Sequence, residues 1–290
     1  MNDADRPMMV FDRAAVRRHR DRAAPLVEAV APVLAEAAER LLDRLDDTTH
    51  RFTRALDVGG RGIVAPMLAA RGIDCVSMDL SAAMVRARRG RAVAVVADEE
   101  FLPFAPGSFD LVVASLSLHW VNDLPGALIQ LRRALRPDGL LLASMPAVGS
   151  LGELRLALAE AEAELSAGAS PRVAPFVDPR DAAGLLQRAG FALPVVDTEE
   201  ISLLYADPLG LLRDLRAAGE TNAVAARDRR VANRSLFARA LAALPMTQDR
   251  VVATLRMAMM TGWAPAPDQP KPAQRGSGVV SLAEVLKGDE

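Results

Sequence analysis

Cysteine is almost missing from this chain: Cys75 stands alone among 290 residues, so no intramolecular disulfide can form and a cysteine-rich zinc cluster is excluded. Histidine is scarce as well, and His19, His50 and His119 show no spacing that would make two of them metal ligands beside a carboxylate. Lysine is confined to Lys271 and Lys287, which leaves arginine to carry nearly all the positive charge. The 35 basic residues stand against 37 acidic ones, so there is no general electrostatic pull toward nucleic acid or an anionic membrane. No stretch reaches the roughly 20 apolar residues of a spanning helix, hence no transmembrane segment is expected. The N-terminus carries Asp3, Asp5 and Asp12 among its arginines and has no apolar core of signal-peptide length. These absences predict a soluble, cytoplasmic chain with an ordinary globular core.

What is present is a regular alternation. Residues 11–46 interleave charged pairs with Leu26, Val27, Val30, Leu34, Leu41, Leu42 and Leu45, which keeps one helical face apolar, and Pro25 and Pro32 divide the segment into two helices. Residues 54–58 read as a strand, Gly59-Gly60-Arg61-Gly62 as a glycine turn and 63–70 as a helix, where Pro66 is tolerable only in the first turn. The series continues with a strand at 74–78, a helix at 81–89 capped by Ser81, and a strand at 93–97. A strand with its end spans 109–118, a helix at 125–135 is stopped by Pro137-Asp138-Gly139, and 140–144 form a fifth strand. This spacing predicts an α/β fold with a mostly parallel, doubly wound sheet, N-terminal helices and a helical insertion or lid.

After residue 150 the expected elements are a helix at 151–166, a proline-punctuated loop through Pro171, Pro175 and Pro179, and a helix at 181–189 ended by Gly190. A strand at 194–205, a helix at 209–218 and a closing strand at 250–263 follow, the last with a pattern that also suits a helix. Residues 264–278 read as an extended tail and 279–286 as a short apolar turn. The chain therefore divides into an N-terminal helical segment (1–46), one main domain with helical additions (47–263) and a tail (264–290).

A glycine turn between a first strand and its helix lets a ligand approach the backbone at the carboxyl edge of the sheet. Gly60-Arg61-Gly62-Ile63-Val64-Ala65 also matches G-x-G-x-x-A with Asp79 about 20 residues on, so at this point a dinucleotide site stays open. Asp79 ends the second strand, where a carboxylate accepts from ribose hydroxyls, and Asp98 follows the third, where it can accept from an adenine amino group. Several neighbours have plain structural readings. Asp110 belongs at the base of its strand, Asp138-Gly139 in a turn, Glu99 and Glu100 in a solvated acidic loop, and His19 and His50 at the surface. His119 and Trp120 are either a packed corner or substrate contacts.

The ordered series Asp57 to Gly62, Asp79, Ala97-Asp98-Glu99-Glu100-Phe101-Leu102-Pro103-Phe104, Ser108-Phe109-Asp110-Leu111-Val112-Val113 and Leu135-Arg136-Pro137-Asp138-Gly139-Leu140 resembles the class I S-adenosylmethionine-dependent methyltransferases over roughly residues 55–145. The resemblance implies the Rossmann-like fold of that class and S-adenosyl-L-methionine as cofactor. Asp57, Gly59, Gly60 and Gly62 would flank its methionine part, Asp79 hold the ribose, Leu80 line the adenine face, Asp98 meet the adenine edge and Ser115 lie near the sulfonium. The turn is one position short of the family's D-x-G-x-G-x-G, which keeps a cofactor-binding scaffold without chemistry as an alternative. An NAD-dependent oxidoreductase is disfavoured by Asp98 and by the absence of a Tyr-x-x-x-Lys pair, Tyr205 being the only tyrosine.

Further matches extend from about Phe11 to Leu286. The segment from Ser115 through Leu118-His119-Trp120 to Pro125, Gly152-Glu153-Leu154-Arg155, Ser170 to Phe176, Gly219-Glu220-Thr221-Asn222, Gly262-Trp263-Ala264-Pro265 and Arg275-Gly276-Ser277 are similar to the methyltransferase-fold assembly factors of respiratory complex I, described as arginine hydroxylases. That similarity implies a protein acceptor, a complex I subunit; the charge balance argues against a nucleic acid partner, and neither a metal nor a catalytic residue is assigned. Glu153, Arg155, Arg172, Asn222 and Arg275 would form a polar substrate lid, or else scattered surface ion pairs, while Glu153 and Glu220 would pair with an incoming arginine. The chain is also similar, through the core and around residues 207–213, to the malonyl-acyl-carrier-protein O-methyltransferases of biotin synthesis, for which Arg155 or Arg172 could clamp the malonyl carboxylate.

Overall fold

The computed structural model describes residues 9–87, 93–165, 170–230, 234–269 and Ser281. Arg89, Ser166, the Arg275-Gly276-Ser277 series and nearly all of the expected turn at 279–286 lie outside the described residues.

Strand β1 (Arg54–Val58) is buried at every residue after its first because parallel neighbours flank it, β2 (Asp74–Asp79) on one side and β4 (Phe109–Ser115) on the other. A central parallel strand is covered on both faces and so reads as a continuous apolar run. Outside these lie β3 (Val93–Val96) beside β2 and β5 (Leu135–Pro146) beside β4, both parallel. Beyond β5 come β8 (Arg250–Trp263) and β6 (Ala192–Tyr205), with the short β7 (Met246–Thr247) also on β8, and β8 runs antiparallel to β5 and to β6. The chain winds outward from β1 through β2 to β3, then returns to β4 on the other side. That reversal opens a crevice at the carboxyl ends of β1 and β4, where open α/β sheets bind ligands.

Alternation along β4 divides the core. Val112 and Ala114 join Leu128 and Leu131 of α5 (Leu124–Ala134) and Leu186 of α7 (Pro179–Arg188). Leu111 and Val113 join Leu34 and Leu41 of α2 (Ala31–Leu42) and Leu68 of α3 (Val64–Ala70). Pro32 and Pro66 both sit in first helical turns, where an amide hydrogen has no partner to lose. Helix α1 (Arg13–Ala23) precedes them, capped by Asp12, whose side chain accepts from the Ala15 amide.

The additions after residue 150 have a platform of their own. Pairing of β5 with β8 stops at Pro146 and Met257, whereas β6 and β8 continue together to Tyr205 and Val251. This overrun carries Leu203, Val251 and Ala253 against α6 (Gly152–Leu165), α8 (Pro208–Ala217) and α9 (Arg234–Ala242).

Several expectations are corrected. Strand β5 begins at Leu135 rather than at 140 and runs through the supposed stop, because Pro137 disfavours a helical Arg136 and Asp138 adopts a left-handed φ of 62°. Strand β4 ends at Ser115, and Leu118–Trp120 form a single tight helical turn. The expected closing strand is present as β8; its helix-like pattern arises because both faces are buried, Met260 in one core cluster and Met257 and Met259 in the other. α9 and β7 were not anticipated, and His19 is half-buried rather than at the surface, where burial lowers its pKa. Among the described residues no helix is long and apolar enough to cross a membrane.

Candidate functional site

At the end of β1 the buried Asp57 accepts a hydrogen bond from Ser77 Oγ of β2 at 2.9 Å. The chain then turns through Gly59 (φ 76°), Arg61 (φ 38°) and Gly62 (φ 78°). Glycine is needed at 59 for space as well as conformation, because a Cβ there would overlap Ser117, which follows β4. A Cβ at Gly60 would stand 2.8 Å from Asp57 Oδ2. The turn thus lies flush between β1 and the loop after β4.

Asp79 ends β2 with 3% exposure and both oxygens engaged. Its Oδ1 accepts from the Ser81 amide at 2.8 Å and its Oδ2 from Arg20 Nη1 at 3.0 Å. Ser81 in turn caps α4 (Ala82–Ala87), its Oγ accepting from the Met84 amide at 3.0 Å. Asp98 and Glu99, just past β3, both receive Arg13 Nη2. Leu80 packs in a cluster with Phe11, Val16 and Trp120, and Ser115 closes β4 opposite Ser144. Asp57, Gly59, Gly60, Gly62, Asp79, Leu80 and Asp98 therefore gather along the carboxyl edge of β1 to β3, with Ser115 on the adjacent strand.

Helix α1 lies across that edge, and its Arg13 and Arg20, seven residues apart, share a face. Burial alone would lower the pKa of each guanidinium. Glu99 and Asp98 around Arg13, and Asp79 and Glu99 around Arg20, outweigh it and raise both. Sequence reasoning missed both arginines, although their seven-residue spacing opposite an Asp-Glu-Glu run was a usable signal. Around the turn, Arg20 Nη2, Arg61 Nε, Glu99 Oε1, Ser117 Oγ and His119 Nδ1 are buried without a hydrogen-bond partner. Such unmade bonds are costly in a core and common where a ligand completes the network.

Arg61 points away from that edge. Its Nη2 donates to the Leu116 carbonyl at 2.6 Å and to Glu220 Oε1 at 2.7 Å. Glu220 Oε2 also accepts from Trp120 Nε1 at 2.8 Å and lies 2.7 Å from His119 Nε2. Burial works to raise the Glu220 pKa, but His119 and Arg61 hold it well below the usual carboxylate range. For Arg61, burial outweighs the pull of Glu220 and lowers the pKa.

These four side chains border a cavity of about 500 Å³ whose lining is otherwise mainly apolar, with Leu34, Leu154, Phe176 and Leu211 contributing. Arg172 and Asn222 line it as well. Arg172 is committed to Glu162 Oε1 through Nη2 (2.7 Å) and Nε (3.2 Å), and Asn222 Nδ2 donates to the Pro171 carbonyl at 2.7 Å. Arg155 instead braces the loop before α7, donating to the carbonyls of Val173 (3.1 Å) and Ala174 (2.6 Å) and lying over the Phe176 ring. Glu153 braces β8, accepting from Thr254 Oγ1 at 2.5 Å. The five lid residues are thus not one set: two line the cavity, two support nearby segments, and Arg275 lies outside the described residues. Asp110 ties β4 to the start of β1, accepting from both Thr53 and Arg54 amides. Among the described residues no three His, Cys, Asp or Glu side chains cluster as a metal site.

Residues 56–143 match the family model described as a methyltransferase domain. The chain is similar to the mitochondrial arginine-hydroxylase NDUFAF5 of Danio rerio, with 38% identity over 97% of this chain and 90% of that one. It is similar to the malonyl-[acyl-carrier protein] O-methyltransferase of Laribacter hongkongensis, with 38% identity over 88% of this chain and 90% of that one. Among solved structures, the YcgJ protein of Bacillus subtilis covers 78% of this chain and 98% of its own at a TM-score of 0.56 and 14% identity, a likeness of fold alone.

Proposed function

The chain belongs to the S-adenosylmethionine-dependent methyltransferase superfamily that includes these arginine-hydroxylase and malonyl-carrier methyltransferase proteins, and on that premise we propose that it modifies an arginine side chain of a protein acceptor. The observation that carries this reading is Glu220: a carboxylate beside the cavity already holds a guanidinium, that of Arg61, with His119 and Trp120 fixing its second oxygen. An arginine entering from the cavity would meet an acid whose depressed pKa keeps it charged.

The residues at the carboxyl edge fit S-adenosylmethionine. Asp79 supplies a carboxylate for ribose hydroxyls, Asp98 an acceptor for the adenine amino group, and the buried polar atoms left without partners around Gly59 match a ligand with a charged amino-acid end. When bound, the cofactor supplies a methyl group already activated on a sulfonium, so alignment is the main task left to the protein. Asp57 and Ser77 fix the turn, and Arg61 of that turn joins His119 and Glu220 in lining the cavity. Ser115, at the end of β4, borders the same crevice.

The acceptor we favour is a subunit of the respiratory NADH:quinone oxidoreductase, and the reaction is placed in the cytoplasm. Deleting the gene and measuring arginine peptides of that complex by mass spectrometry tests this. A missing oxygen identifies hydroxylation, a missing methyl group identifies methyl transfer, and unchanged arginine peptides refute the reading. The malonyl-carrier reading draws support from the apolar cavity walls, but of its two candidate clamps Arg155 donates to the Val173 and Ala174 carbonyls and Arg172 is tied to Glu162. Biotin auxotrophy of the deletion strain with normal respiration would select that reading instead.

A further inference from the structure

Arg20 is buried in the cofactor cleft, at 1% exposure, and its guanidinium is only half used. Nη1 reaches Asp79 Oδ2 at 3.0 Å and stands 3.7 Å from Glu99 Oε1, while Nη2 has no hydrogen-bond partner. The same guanidinium lies over the glycine turn, with Nη1 3.2 Å from where a Cβ of Gly59 would be. Ser117 Oγ, also buried and without a partner, stands 3.2 Å from that point. Two hydrogen-bonding groups therefore converge on the turn that the family reading assigns to the methionine part of the cofactor. A buried guanidinium with an idle nitrogen is best completed by a planar carboxylate, which takes two parallel hydrogen bonds.

We propose that Arg20 binds the α-carboxylate of the methionine part of S-adenosylmethionine, and that its ion pair with Asp79 is exchanged for two cofactor contacts on binding. Asp79 then accepts from the ribose hydroxyls and Arg20 holds the carboxylate. The exchange keeps both buried groups hydrogen-bonded, Arg20 to a carboxylate and Asp79 to hydroxyls, which a simple opening of the buried pair would not. It also gives α1 a part in cofactor selection, because adenosine compounds without a carboxylate break the Arg20–Asp79 pair and offer Arg20 nothing in return. The inference rests on the cofactor reading above, and its test separates the two.

Calorimetric titration of the full chain with S-adenosylmethionine and with its decarboxylated analogue measures the preference directly. The wild type should favour the carboxylated ligand by roughly 10- to 100-fold, and Arg20→Met should bring the two ligands to similar affinity. A thermal melt checks that the variant folds. If it does not, the same ratio is read on Arg20→Lys, which keeps the charge but loses the two-pronged fork and should retain only part of the preference. An undiminished preference in the folded variant, or none in the wild type, overturns the proposal. A variant that binds both ligands equally more tightly marks Arg20 as a plug and overturns it too. Wild type that binds neither ligand overturns the cofactor reading itself.

Discussion

At the carboxyl edge of β1 to β3 the side chains that meet are charged and paired with one another, Arg20 with Asp79 and Arg13 with Asp98 and Glu99. The cavity beside Arg61 is walled mainly by leucines, Phe176 and Tyr205, and Glu220 is a partly buried acid on its border. The edge is a set of polar groups awaiting exchange of partners; the cavity is a space that favours bulk. Buried ion pairs add little net stability, yet removing one partner is expensive because the other is left uncompensated. Apolar walls behave differently, losing stability in proportion to the volume removed.

The largest effect is expected at Glu220. Glu220→Gln removes the countercharge of the buried Arg61 and should cost about 3–5 kcal/mol at neutral pH in urea unfolding. Because the folded-state pKa of Glu220 is depressed, its stabilising effect is full above the unfolded value near 4.5 and fades as pH falls below it. The gap between wild type and variant should therefore narrow in acid; a gap constant with pH would mean that the charge contributes nothing. In the apolar wall, Leu154→Ala should cost about 2 kcal/mol, at the low end for a buried leucine because its site already adjoins open space. Its cofactor affinity should match the wild type, and a loss there would show that the two regions are coupled. The smallest effect belongs to the half-exposed Arg40, paired with Glu36 and Glu199: Arg40→Ala should cost only about 0.2–1 kcal/mol in the same unfolding assay, and less in high salt.

The two regions also differed in how far the sequence revealed them. The cofactor edge is assembled from consecutive strand-turn-helix units, so Asp57, Gly59, Asp79 and Asp98 could be placed by order along the chain. The cavity is assembled from segments a hundred residues or more apart, and its Glu220–His119 and Glu220–Trp120 contacts leave no local pattern. Glu220 reads from the sequence as an acid on the substrate side, but its partner Arg61 is hidden in the glycine turn. Arg13 and Arg20 are masked for another reason: α1 is rich in arginine, so their seven-residue spacing marks a shared face only when it is set against the Asp98-Glu99-Glu100 run. α9 escaped because its short apolar pattern becomes decisive only on the overrun of β6 and β8.

Asp79 is the proposed ribose-binding carboxylate on which the cofactor site depends. Calorimetry with S-adenosylhomocysteine, the demethylated product, should give measurable binding to the wild type. Asp79→Ala should weaken that binding by roughly 1.5–3 kcal/mol, the worth of a hydrogen-bonding contact to a charged group. Equal affinity in variant and wild type would contradict the account and move the ribose site elsewhere.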